Sequence, residues 1–364
     1  MNLILDGHKL PWHMDRVRAW ERGERIAPVT VDLALTRACN YACTYCYAQL
    51  QENQRMSITE DVMAGFLDDC AEIGVLGVSL VSDGESTLSP AFDSTVLRAA
   101  ERGLSVAVGT NAYLFPRRRA SALLPSLDYI RVNMSAGLPA RYSGVMGVPE
   151  TYFHTVVANI RGMVEEKRSR NLGVTIGLQM VLMPELADQI LPFAQLAVDL
   201  GVDYAIIKHC SDDEDGSLGV DYAQYPELVA ALHHAEALSV PETAIIVKWS
   251  KIEHTNRMYR RCYGPPFMLQ LSGSGLVAPC GFLFNERYKK FHIGNICDQR
   301  FKAIWESDRY WEVMEYLASA EYDARRMCGS LCLQHSVNTA LDRHRRGEKL
   351  QEATGDRPRH VNFL

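Results

Sequence analysis

From residue 29 onward, short apolar runs alternate with segments whose apolar residues recur at helical spacing. VTVDLAL (29–35), VLGVSLV (75–81), LSVAVG (104–109), YIRVNM (129–134), VTIGLQMVL (174–182) and DYAIIK (203–208) have strand length, and AIIVKW (244–249) is a candidate seventh strand. The stretches between them carry helix-end signals. In SITE, Ser57 and Glu60 form a capping-box pattern, and Gly74 stands at the far end of the same stretch. SPAFDSTVLRAAERG places Ser89 before Pro90 and closes on Gly103. PELADQILPFAQLAVDLG closes on Gly201, with Pro192 expected to kink or interrupt it. Repeated β-α units imply an α/β fold with a parallel sheet and right-handed crossovers. About six such units make an open or partial barrel, whose ligands gather at the carboxyl ends of the strands.

The pattern changes near residue 250. MYRRCYGPPFMLQLSGSGLVAPCGF reads as a loop and a hairpin with a second pair of cysteines, and FKAIWESDRYWEVMEYLAS (301–319) as one or two helices. The expected organisation is an N-terminal extension (1–28), the barrel (29–250), a small cysteine-bearing domain (251–340) and a polar tail (341–364) expected to be solvated.

Composition narrows the function classes. The 364 residues are 47% hydrophobic and 23% charged, the balance of a globular protein. No apolar run approaches the length of a membrane span, and the N-terminus lacks a basic start followed by a long apolar core. Cytoplasmic location without membrane contact is therefore the expectation. A net charge of -6 and a pI near 6.0 argue against broad electrostatic capture of nucleic acid, though not against a local basic groove. Ten cysteines in such a chain point to metal or redox chemistry rather than disulfides.

Three of the ten lie in CNYACTYCY: Cys39, Cys43 and Cys46, at spacing C-x3-C-x2-C, with Tyr45 and Tyr47 around the last. The loop opens where the first strand ends, at the carboxyl edge of the sheet. A structural zinc site or an ordinary four-iron cluster uses four protein ligands. Three thiolates can hold three irons of a [4Fe–4S] cube and leave the fourth iron open to an outside ligand. The alternatives are a zinc site with a distant fourth ligand, or three unrelated cysteines.

This motif resembles that of the radical S-adenosylmethionine (SAM) superfamily. The resemblance implies a [4Fe–4S] cluster whose open iron chelates SAM, and an external electron donor such as flavodoxin or ferredoxin. It also implies reductive cleavage of SAM to a 5′-deoxyadenosyl radical that removes a substrate hydrogen. It extends over roughly residues 29–250. SDGEST (82–87) follows the second strand where the family usually has Gly-Gly-Glu; Gly84 and Glu85 match, and Asp83 replaces the first glycine. The resemblance makes Glu85 a partner for SAM's ammonium. Thr110 and Asn111 in GTNAY end the third strand, and Asn133 and Ser135 in RVNMSAG end the fourth as candidate ribose contacts. Tyr45, the aromatic before the last cysteine, joins this cofactor-binding set. At the sixth strand, Lys208 is a candidate partner for a carboxylate of SAM or substrate, and Cys210 a candidate hydrogen-atom donor.

Beyond the boundary, Cys262, Cys280, Cys328 and Cys332 resemble the ligands of the C-terminal auxiliary-cluster domains called SPASM and twitch, with HIGNICDQRFKAIWES between the cysteine groups. They are too few for two fully ligated auxiliary clusters, and x3 replaces the common x2 in the last pair. One auxiliary [4Fe–4S] cluster is expected, with a zinc site as the alternative. Cys297 is a spare, and Cys70 sits on an apolar helix face as a core residue.

Fold and cofactor do not name the substrate. The short segment before the first strand leaves little room for the leader-binding module of many peptide-modifying SPASM enzymes. The segment from DGHKLPWHMDRV to CYAQLQEN is similar to radical SAM proteins of viral thymidine hypermodification, in which an isomerase moves an amino-acid substituent from nitrogen to carbon linkage. That resemblance implies a modified nucleotide or DNA as substrate and the host cytoplasm as location. The alternatives are epimerisation or dehydrogenation of a small metabolite or sugar, peptide maturation, and a non-catalytic iron–sulfur binding or sensing protein.

Overall fold

The computed structural model describes residues 3–50, 56–252, 257–328, 332 and 334–364. Each expected strand forms: β1 (Thr30–Leu33), β2 (Gly77–Leu80), β3 (Ser105–Thr110), β4 (Tyr129–Asn133), β5 (Thr175–Leu182), β6 (Tyr204–His209) and β7 (Ala244–Val247). All seven are parallel neighbours in chain order. All eight residues of β5 are buried, as expected of a parallel strand covered on both faces. The apolar faces of helices Glu60–Ile73, Phe92–Glu101, Thr151–Ser169 and Ile190–Leu200 pack outside the strands in one continuous core.

The sheet does not stop at residue 250. After it come β8 (Met268–Leu271), β9 (Leu276–Ala278) and β10 (Gly294–Asn295). β8 lies parallel beside β1, and β9 and β10 continue antiparallel from it. The barrel and the second cysteine set therefore share one ten-stranded sheet.

Three local expectations need correction. The SITE helix begins at Glu60 with Thr59 at its N-cap and no side-chain cap; Ser57 instead bridges to Thr36 and donates its hydroxyl to Thr36 Oγ1 at 2.7 Å. The loop leaving β1 takes the group that a capping box would use. Pro192 does not break its helix. The interruption comes earlier, where a 3-10 turn (Pro184–Gln189) precedes Ile190–Leu200, and Pro192 falls in the first turn, whose N–H groups need no helical partner.

The third correction concerns the two ends of the tail; residues 345–357 between them are mostly exposed, as expected. Residues 335–345 form a helix whose Val337 and Leu341 share a small core with Leu10, Met14, Val17 and Phe267. Residues 359–363 then cross the amino-terminal end of the barrel. Arg359 bridges to Leu3, Thr30 Oγ1 donates to the Asn362 carbonyl, and Lys9 Nζ donates to that of Phe363. Phe363 packs edge-on against Tyr129 at 5.1 Å. The charged residues of this segment disguise an apolar floor for the barrel. The 301–319 region resolves into two helices, Phe301–Glu306 and Asp308–Ala318, separated by Ser307, whose hydroxyl caps the second by accepting from Tyr310 N.

Candidate functional site

The three-cysteine loop leaves the carboxyl end of β1 and is fixed by backbone contacts. Ala42 N donates to Met146 O at 3.2 Å and Thr44 N to Val145 O at 2.9 Å. At its root, Glu85 N donates to Ala38 O at 2.9 Å, which joins the loop after β2 to the residue before Cys39. Gly84 makes that junction possible. Its φ is +68°, and a Cβ there would stand 2.1 Å from the Thr36 carbonyl oxygen.

The Glu85 carboxylate organises the next two strand ends. It accepts from Thr87 N (3.2 Å), Thr87 Oγ1 (2.6 Å) and Thr110 Oγ1 (2.7 Å) on one oxygen, and from Asn111 N (2.8 Å) on the other. Asn111 Nδ2 donates to Asn40 Oδ1 at 2.8 Å, inside the cysteine loop. Ala38, Asn40, Glu85, Thr87, Thr110 and Asn111 thus belong to one hydrogen-bonded unit that flanks Cys39 and turns at Gly84. Burial and the neighbouring thiols hold the Cys43 thiol well above its ordinary pKa. A bound cation is what would favour thiolates there.

Below this unit lies a cavity of about 300 Å³ lined by Tyr45, Cys46, Tyr47, Gly84, Glu85, Asn133, Gln179 and Lys208, with Asp32, Ser79, Arg131, Lys248, Lys251 and Gln270 deeper in the barrel. The candidate ribose contacts part company here. Asn133 lines the cavity and accepts from Gln179 Nε2 at 2.7 Å. Ser135 is fully buried, its hydroxyl accepts from Val181 N at 3.1 Å, and it does not border the cavity. Its hydroxyl braces β5. Cys210 is also fully buried behind the cysteine loop, with Sγ 3.7 Å from the carbonyl oxygens of Tyr45 and Ser211. Burial pushes its thiol up to about 12.

Arg131, Lys248, Lys251, Asp32 and Gln270 escaped the sequence reading. The signal was present: each of Asp32, Arg131 and Lys248 is a charge inside or at the end of an apolar strand run, and the period of two turns it inward. In register, Gln270, Asp32 and Ser79 stand side by side on β8, β1 and β2.

Cys262, Cys280, Cys328 and Cys332 line a second cavity with Arg257, Tyr322 and Gln334. Donors point at its sulfurs. Asn338 Nδ2 stands 3.6 Å from Cys262 Sγ and 3.5 Å from Cys332 Sγ, and Gln334 N donates to Cys332 Sγ at 3.3 Å. Burial pushes Cys328 up to about 11, against the pull of the Arg257 cation. Four thiols, amide donors and a buried guanidinium suit an anionic cluster. Among the described residues, no three His, Cys, Asp or Glu side chains are gathered closely enough to hold a metal ion, here or at Cys39, Cys43 and Cys46. Cys297 lies outside this cavity, and Cys70 is core.

Residues 33–197 match the model of the Radical SAM superfamily, and residues 262–332 match SPASM, an iron–sulfur cluster-binding domain. The chain carries a radical SAM domain followed by a SPASM domain. These domains imply a [4Fe–4S] cluster that binds SAM and an auxiliary cluster; all four cysteines of the second set line one cavity, whereas of the first set only Cys46 borders the 300 Å³ cavity. Among curated proteins, the chain is similar to a probable GTP 3′,8-cyclase of Pyrobaculum aerophilum, 28% identical over 45% of this chain and 52% of that one. It is also similar to an AdoMet-dependent heme synthase of Methanosarcina barkeri, 22% identical over 77% and 83% respectively. The chain spans about half the length of the first curated relatives it matches. Among solved structures, Streptococcus suis SuiB bound to S-adenosylmethionine has the same fold, with a TM-score of 0.64 at 14% identity over 96% of this chain and 81% of that one. No helix among the described residues is long and apolar enough to cross a membrane.

Proposed function

We propose that the protein is a radical SAM enzyme that abstracts a hydrogen atom from a nucleotide-class substrate and returns it in a redox-neutral rearrangement. The preferred case is the isomerisation of an amino-acid substituent on a modified thymidine from nitrogen to carbon linkage. Cys39, Cys43 and Cys46 would hold the cluster, with Glu85, Asn111 and Asn133 around SAM. When bound, these groups supply reductive cleavage of the sulfonium bond and the radical that takes the substrate hydrogen. An electron donor of the flavodoxin or ferredoxin class would feed that reduction.

The chain's own residues do the rest. The Glu85 network holds the three loops at the carboxyl edge in one arrangement. Tyr45 and Tyr47 cover the cavity, and its polar lining orients a substrate away from bulk water. The observation that carries the rearrangement over an epimerisation is the position of Cys210. An epimerase of this superfamily can use a cysteine to quench the product radical. Here the candidate thiol is sealed behind the cysteine loop. A rearrangement that recovers hydrogen from 5′-deoxyadenosine needs no such donor. The nucleotide class draws support from the cyclase relative, which is named for GTP.

The test is anaerobic turnover of reconstituted protein with a strong reductant, SAM and a thymidine nucleotide carrying nitrogen-linked glycine. The expected product has unchanged mass and a new carbon–carbon linkage. A product two mass units lighter would sink the isomerase reading, and the absence of product, of 5′-deoxyadenosine and of substrate deuterium transferred into SAM would together sink radical chemistry altogether.

A further inference from the structure

The barrel interior holds more positive charge than the fold uses. Arg131 on β4, Lys208 on β6, Lys248 just past β7 and Lys251 in the turn Trp249–Ile252 all border the 300 Å³ cavity. Among the described residues, none of the three ammonium groups has a hydrogen-bond or ion-pair partner. Arg131 Nε, buried at the same cavity, is unpartnered too.

The nearby carboxylates take their hydrogen bonds from groups other than these lysines. Asp32 accepts from Gln270 Nε2 at 2.6 Å, and Glu85 serves the strand-end network. Asp83 takes Ser272 Oγ and Gly273 N, and Asp6 takes Ser250 N and Oγ. The four cations share the cavity with the carboxyl groups of Asp32, Asp83 and Glu85; Asp83 already pairs with Arg37, and burial raises Asp32 to about 6. A buried charge without a partner is costly, so a fold that keeps three such ammonium groups beside a guanidinium is prepared for something absent from the protein itself. Arg131 lies in register between Gly109 and Gly177, and the room those glycines leave is taken by the Val81 side chain and the Tyr204 ring, which pack the strand around the guanidinium.

We propose that Arg131, Lys208, Lys248 and Lys251 form a clamp for a doubly charged anionic group of the substrate, a phosphate monoester or a pair of carboxylates, seated in the barrel beneath the cysteine loop. This rests on the reading of that cavity as the substrate site. The arginine offers a planar fork and the lysines mobile point charges, the usual division of labour around phosphate and carboxylate oxygens. Burial and the mutual repulsion of Lys251 and Arg131 bring Lys248 down to about 7, and Lys208 is pressed well below its ordinary value by burial and Lys251. A bound dianion would reverse both shifts, so binding near neutral pH takes up protons.

The experiment uses the reconstituted protein with inorganic phosphate and malonate as probes, against chloride at equal ionic strength. One dianion should raise the melting temperature and bind with proton uptake, seen by calorimetry in buffers of different ionisation enthalpy. Phosphate preferred over malonate assigns a phosphate monoester; the reverse assigns carboxylates. Lys248→Met and Arg131→Met should each weaken that binding at least ~10-fold. Neither should lower the melting temperature of the ligand-free protein, because each removes an unpaired buried cation. Dianions no better than chloride would overturn the clamp. So would displacement of the dianion by SAM with a parallel loss of SAM affinity in the variants, which would give the cations to the cofactor. Dianion binding in a protein that never cleaves SAM would leave the clamp standing and remove the radical reading.

Discussion

Replacing Gly84 with alanine puts a single methyl group at the junction on which the three-cysteine loop depends. At a φ of +68° an alanine costs about 1–2 kcal/mol before any contact is counted. Its Cβ would then stand 2.1 Å from Thr36 O and 2.9 Å from Ala38 O, where contacts under 3.0 Å essentially never occur. Both obstacles are backbone, so residues 36–38 must move by most of an ångström. Ala38 O then loses the hydrogen bond from Glu85 N, worth about 0.5–1.5 kcal/mol. Together these come to roughly 3 kcal/mol of local strain, concentrated one residue before Cys39. If the loop must recover its geometry to bind SAM, affinity falls by about two orders of magnitude. The assay is iron content after anaerobic reconstitution together with SAM binding at equilibrium. Gly84→Ala should keep the auxiliary site's share of iron, lose most of the remainder and bind SAM at least ~10-fold more weakly. Full iron and SAM affinity within about twofold of the parent would refute the claim that this close approach sets the loop.

Replacing Cys39, Cys43 and Cys46 together by alanine should halve total iron from about eight per chain, if both sites are four-iron cubes, and abolish 5′-deoxyadenosine formation; zinc at the second site in protein reconstituted without added zinc would dismiss the auxiliary cluster. Glu85→Gln should weaken SAM binding by roughly 1.5–3 kcal/mol, the loss of a charged hydrogen bond, and unchanged affinity would remove Glu85 from the cofactor's partners. Asp83→Gly should destabilise the fold in denaturant titration by about 3 kcal/mol, because Arg37 loses its 3.3 Å buried partner, and a parent-like midpoint would contradict this. Lys248 faces Lys251, Arg131, Lys9 and Asp6, and its folded pKa near 7 lies below that of the unfolded chain. The folded state therefore binds fewer protons between about pH 7 and 10.5, and this group's contribution to stability rises with pH across that window. Lys248→Met should show its largest stability advantage at and below pH 7, shrinking toward pH 10; an advantage independent of pH would refute the shift.

The strands were legible because a parallel strand covered on both faces leaves a continuous apolar run. The three-cysteine loop was legible because its ligands are adjacent in sequence. What escaped depends on contacts made across the fold. Ser135 carries the right hydroxyl at the right strand end, but Val181 N uses it. Ser57 and Glu60 have capping-box spacing, yet Thr36, 21 residues away, takes the serine. The ends of the tail read as solvated because Arg357, Arg359 and His360 dominate the composition there, while the contacts of Val361, Asn362 and Phe363 with the barrel floor lie more than 230 residues back. The inward charges of the strands were visible one at a time; only closure of the sheet brings them to one cavity.

Asp83 shows why a departure from a family motif is best read against the second domain. Where the family usually has glycine, this chain has a buried carboxylate that accepts from Ser272 Oγ at 2.7 Å and Gly273 N at 2.8 Å and pairs with Arg37. Ser272 and Gly273 form the turn between β8 and β9, the hairpin that begins the SPASM-side sheet extension. Gly273 itself approaches the chain so closely that a Cβ would lie 2.2 Å from the Thr36 carbonyl carbon. Thr36 and Arg37 are therefore gripped from two sides, by Gly84 from β2 and by the Gly273 turn from β9, with Asp83 joining the two. A glycine at 83 would serve a radical SAM domain whose loop needs only the first of these grips. Here the loop that carries Cys39, Cys43 and Cys46 takes its root geometry from both domains, and the carboxylate makes the second grip specific.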